Sequence, residues 1–171
     1  MLDPRPHLGE PPALDLLNTR WMEHGPRDLL TDVAGLRIWL ASAELPGAST
    51  ADERTLDAVL TARTAVYDAV VHGTRDALNE VLERGRIRHH LTETGPAATP
   101  EVADPAWLPG WLAADNLLTL LADAPDRIRR CAHPDCVLFF YDTSKNGTRR
   151  WHSMTTCGNR AKAARHHARR T

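Results

Sequence analysis

Cys131, Cys136, His152 and Cys157 follow the spacing C-x4-C-x15-H-x4-C, the pattern in this chain best suited to chemistry. Zinc takes four soft or borderline ligands in a tetrahedron, and two ligand pairs joined by a hairpin supply them. Three thiolates and a neutral imidazole around Zn2+ leave one net negative charge, which Arg149, Arg150, Arg160 and Lys162 lie close enough in sequence to offset. Four protein ligands leave no open coordination position, so the expected zinc is structural. All three cysteines of the chain fall within this segment, which favours metal over a disulfide framework. A lobe this small also needs a staple in place of a large core. His133 competes for the fourth position but sits between two committed cysteines. His166 and His167 lie about 14 Å beyond Cys157 at helical rise.

The elements that must position these ligands follow from the flanking residues. Val137–Tyr141 is a β-favouring run, Lys145-Asn146-Gly147 carries a turn dipeptide, and Thr148–Trp151 is expected to return as the second strand. After Cys157, Gly158 leaves room for backbone amides near the sulfur. Asn159 is the expected cap of a helix beginning with Arg160-Ala-Lys-Ala-Ala-Arg165. A thiolate at a helix N-terminus gains from the helix dipole. The layout is treble-clef-like.

Upstream, the pattern is mainly helical. A short helix or turn spans residues 14–19, and an amphipathic helix spans 32–44. A capping box, Thr50 with Glu53, opens a long helix that stops at Gly73. Thr74 is expected to cap a further helix to about Arg84. Residues 87–92 and 99–103 suggest a hairpin around Gly95-Pro96, and Trp107–Leu121 restores a helical pattern. The expected fold is α+β, mainly α: an α-rich N-terminal domain with a small β-hairpin over 1–126, then the finger over 127–171.

Charge divides the chain at the same place. Residues 1–126 hold 10 Lys/Arg and 20 Asp/Glu, whereas residues 127–171 hold 11 and 2. An acidic body with a basic end suggests that the end meets a polyanion, the other reading being a solvated end that docks on its own acidic domain. In the last segment Arg165, Arg169 and Arg170 join Lys162 on a helix with a narrow alanine stripe. With Arg149 and Arg150 on the hairpin, they form the candidate nucleic-acid-binding set, as phosphate contacts rather than base readers. Asn18, Thr19, Trp21 and His24 form a polar-aromatic group after an apolar turn. Two readings stay open for it: the wall of a small-ligand pocket, or a helix end secured by Asn18 with Trp21 in the core. No nucleophile–base pair, phosphate loop or carboxylate dyad stands out, so an enzyme is not expected. The opening MLDPRPHLGEPP lacks a leader pattern, and no apolar run reaches the roughly 20 residues of a membrane span, so a cytoplasmic protein is expected. The preference for Arg over Lys, with abundant Ala, suggests a bacterial source rich in GC.

The runs Cys131-Ala-His-Pro-Asp-Cys136, Asp142–Gly147, Arg150–Met154 and Cys157-Gly-Asn-Arg160 closely resemble the bacterial CGNR zinc-finger family. His152 stands where that family usually has Cys, an exchange that still satisfies zinc. Ala13–Thr19 resembles the start of the ABATE domain that usually precedes this finger. The resemblance implies a DNA-binding stress regulator whose α-rich N-terminal domain serves in sensing a small-molecule effector or in forming a homodimer.

Overall fold

In the computed structural model, which describes residues 2–48 and 50–168, Pro12 occupies the first turn of helix α1 (Pro12–Leu17). Proline suits that position because its missing N–H would have no helical partner there. Ala13, Leu14, Asp15, Leu16 and Leu17 are all buried, so α1 is a central strut. Its one charge, Asp15, accepts bonds from Arg5 Nη1 at 3.0 Å and from the indole of Trp39 at 2.9 Å. Burial pushes the Asp15 carboxyl up, and the Arg5 guanidinium opposes that shift.

A short ribbon, β1 (Arg20–Met22) and β2 (Pro26–Asp28), leads to α2 (Val33–Ala43), whose cap Asp32 accepts from Gly35 N at 2.9 Å. Gly35 is required by contact: a Cβ there would stand 1.7 Å from the Leu29 carbonyl oxygen. The long helix α3 (Glu53–His72) ends at Gly73 in the left-handed conformation, φ 70°. Its cap is Asp52, which accepts from Thr55 N, and not the expected Thr50: the carboxylate one residue before the helix reaches the free amide first. Helix α4 (Asp76–Leu82) likewise begins after Arg75 with no side-chain cap, so Thr74 does not serve.

The hairpin β3 (Gly85–Thr92) and β4 (Gly95–Val102) turns through Glu93-Thr94 and is longer than the alternation suggested. Its strands are largely exposed, and Leu91 is 81 % accessible. Helix α5 (Leu108–Asp123) then packs on α1 and α3. Gly110 permits that approach, because a Cβ would lie 2.7 Å from the Ala62 methyl.

In the C-terminal lobe the strand pairing differs from expectation. β6 (Phe139–Tyr141) pairs antiparallel with β5 (Ile128–Arg130), which precedes the first cysteine, and not with residues 148–151. The buried Asp142 carboxylate gathers the return segment instead, accepting from Ser144 N, Ser144 Oγ and Arg149 N. Ala132 N then donates to the Arg150 carbonyl at 2.8 Å, laying residues 148–151 along the first cysteine loop. A π-helical turn, Met154–Gly158, runs directly into helix α6 (Asn159–Ala168). Ser153 caps that turn by accepting from Thr156 N, and Asn159 is already helical.

A single hydrophobic core joins both halves. It runs from Leu14, Trp39, Val59 and Leu117 to Cys131, Leu138, Phe139 and Cys157. The expected mainly-α, α+β architecture is the one observed.

Candidate metal centre

Cys131 and Cys136 flank a tight loop closed by bonds from Cys131 N to the Leu138 carbonyl and from Cys136 N to the His133 carbonyl. His152 arrives on the segment held by Asp142, and Cys157 on the π-helical turn. All four side chains are buried, and their ligand atoms lie within 4.8 Å of one another. A zinc tetrahedron, with Zn–S about 2.3 Å and Zn–N about 2.0 Å, separates its ligand atoms by about 3.5–3.8 Å. The Cys136 Sγ to His152 Nδ1 distance is 3.6 Å.

The protonation chemistry fits a cation. Burial, reinforced by Cys131 and Cys157, pushes the Cys136 thiol up to about 12. Burial also raises the Cys157 thiol. Thiols packed this closely resist ionisation unless a divalent cation sits among them. His152 is shifted down to about 4, first by burial and then by His7, Arg149 and Arg160, so it is neutral at physiological pH, as a ligand must be. With Nδ1 toward the cysteines, its Nε2 lies 3.5 Å from Thr156 Oγ1, which orients the ring. His133 instead turns Nδ1 back to accept from Asp135 N at 3.2 Å. The residues present therefore suit Zn2+.

Arg160 Nη2 lies 3.4 Å from Cys157 Sγ, so this arginine offsets thiolate charge directly. Arg149 points inward as well. It donates to the Trp151 carbonyl at 2.9 Å and to the His152 carbonyl, and covers the Phe140 ring at 4.7 Å. Arg150 is exposed beside the Trp151 ring, and Lys162 is exposed on α6. The Arg165 side chain, Arg169 and Arg170 lie outside the described residues, as do the side chains of His166 and His167.

The N-terminal domain adds an outer layer that no local pattern announced. His7 packs its ring on His152, centroids 4.9 Å apart, and pairs with Glu10 at 2.8 Å. Glu10 also accepts from Tyr141 N at 2.8 Å. Asn18 exchanges two bonds with Phe139: its Nδ2 donates to the carbonyl at 2.9 Å, and its Oδ1 accepts from the amide at 2.8 Å. Together Asn18 and Glu10 cover the free edge of β6. Asn18 thus fastens the finger to α1.

Thr19 is buried, donating to the Leu16 carbonyl and accepting from Arg63. Trp21 lies in the core and lines a cleft, and His24 is exposed at the β1–β2 turn with φ 51°. The four residues do not form one pocket wall, because α1 ends at Leu17 and the chain reverses within a few residues.

Residues 10–124 match the ABATE family, described as "putative stress-induced transcription regulator", and residues 127–170 match the CGNR zinc finger. The chain belongs to the ABATE family and carries a CGNR zinc finger that binds zinc. No curated protein matches it.

Proposed function

We propose that this ABATE-family protein is a DNA-binding transcription regulator in which zinc fixes the basic helix α6 on the N-terminal domain, and that it is not an enzyme. The observation that carries the reading is where α6 begins. The helix starts two residues after the ligand Cys157, and Arg160 on its first turn is tied to that sulfur. Rigid mounting suits a helix that must present cations to a regular polyanion. Lys162 and Arg150 are exposed on this lobe, and Arg165, Arg169 and Arg170 continue the basic run in sequence. Arg149 serves the fold of the finger, so it leaves the candidate DNA contacts. A four-ligand zinc has no open position for a substrate, which supports a structural role. Among the described residues no helix is long and apolar enough to cross a membrane. A regulator of this kind would act in the cytoplasm of a bacterial cell.

The test is fluorescence anisotropy with a labelled random duplex over a range of salt. Contact with about four to five phosphates gives a slope of log K against log salt near −4, and R150A/K162A should reduce it by about 2. Binding that ignores salt, or that is unchanged by removing zinc with a chelator, would sink the proposal.

A further inference from the structure

Between the β1–β2 ribbon, α3 and the zinc lobe lies a cleft of about 520 Å³. That is within the roughly 300–1,000 Å³ of small-molecule sites. Both halves of the protein build it: Trp21 and Tyr67 from the N-terminal domain, Val137 and Phe139 from the finger. Tyr67 meets Phe139 edge-on, centroids 6.2 Å apart, so the aromatic lining continues across the seam.

The charges in its walls run against those of the surrounding domain. Residues 1–126 carry twice as many acids as bases, yet they line this cleft with Arg20, Arg27 and Arg63 against one carboxylate, Asp28, and the finger adds Arg130. Asp28 is already taken, by Arg63 at 2.7 and 2.8 Å and by Arg20 at 3.1 Å. Arg27 reaches only Glu23, at 3.9 Å, and Arg130 has no ion-pair partner among the described residues. In the same wall Trp21 is 6 % exposed, and its indole N–H has no acceptor among the described residues. A buried indole N–H normally finds a partner, and a ligand oxygen would serve.

We propose that this cleft binds a small aromatic carboxylate, its ring against Trp21, Tyr67 and Phe139 and its carboxylate meeting Arg27 and Arg130. An aromatic floor selects a planar apolar body, and Arg130 with the loosely paired Arg27 selects an anion. Because the walls come from both halves, an occupant holds the finger in its docked position. Binding stands whether or not the finger contacts DNA; only its regulatory consequence rests on the reading above. In that case effector and DNA affinities change each other by the same factor.

The experiment is isothermal titration of the full-length, zinc-loaded protein, without DNA, using 1-naphthoate, the neutral 1-naphthylmethanol and inorganic phosphate. The expected result is one naphthoate per chain, with affinity at least about tenfold weaker for the neutral analogue and for R27Q/R130Q. Arg27 and Arg130 are exposed, so that variant should keep the wild-type melting temperature, a control for folding. Absence of naphthoate binding at millimolar concentration would overturn the proposal, as would equal binding by R27Q/R130Q. Phosphate binding as tight as naphthoate would mark a simple anion site and also overturn it. So would R27Q/R130Q losing duplex affinity while keeping naphthoate affinity, since the arginines would then belong to nucleic acid.

Discussion

Asn18 is the residue on which the union of the two halves can be tested. Its side chain is fully buried and makes both of its bonds to the backbone of Phe139, 121 residues away. In Asn18→Ala the Phe139 N–H and carbonyl lose their partners in a buried site. A buried polar group left unpaired costs about 1–3 kcal/mol, so the two together should cost about 2–5 kcal/mol. For a chain of this size each kcal/mol moves the melting temperature by about 2–4 °C, so a fall of about 5–15 °C is expected by calorimetry of the zinc-loaded protein. Asn18→Asp adds a directional check. It keeps an acceptor for the Phe139 amide but sets a carboxylate oxygen against the Phe139 carbonyl, so it should destabilise at least as much as alanine. Chelator competition should show faster zinc release in both variants, because β6 holds the first ligand pair in place. A melting temperature within about 2 °C of wild type in both variants would refute the argument. Asn18 would then be a surface or ligand-facing residue and not the fastener.

Other outcomes follow from the same contacts. Zinc release should increase as pH falls, because protons compete for the buried thiols, and Cys136 holds its proton up to about pH 12 without metal. A dye assay for free zinc against pH checks this. His152 adds a separate effect in the metal-free protein. Its folded value near 4 lies below the ordinary 6.5, so the stability it contributes is complete above about pH 6.5 and is lost as pH falls toward 4. Urea titrations of wild type and His152→Asn across that window should differ in slope. Arg160→Leu removes the cation beside Cys157 and should weaken zinc about 10–100-fold in chelator competition, with one zinc per chain still bound at saturation. Gly35→Ala forces a methyl into the Leu29 carbonyl and should cost at least about 1–3 kcal/mol by chemical denaturation.

How far the sequence could be read depended on the range of each interaction. Helix α2, the long helix α3 with its Gly73 stop, and α5 were legible because 3.6-residue periodicity and a glycine stop are local signals. The metal ligands were legible because a tetrahedral ion needs a fixed number of donors of fixed type, and Cys131, Cys136, His152 and Cys157 were the sequence's best set. The strand partners of the finger were not legible. Residues 137–141 are equally β-favouring whether they pair forward or backward, and the choice fell to the Asp142 carboxylate and the approach of β5. The placement of arginines was harder still. The sequence placed Arg149 among the phosphate contacts, whereas it turned inward to a carbonyl pair, which only folded neighbours can offer; Arg160, expected to offset the charge of the site, lies against the Cys157 sulfur. The same holds for Asn18, Glu10 and His7: they sit more than a hundred residues from the atoms they hold. By itself the sequence determined the ligand chemistry, the helices and the charge of the C-terminal segment. The tertiary structure decided which polar side chains clamp the finger to its domain and which remain free, because that choice depends on contacts that exist only after the chain has closed on itself.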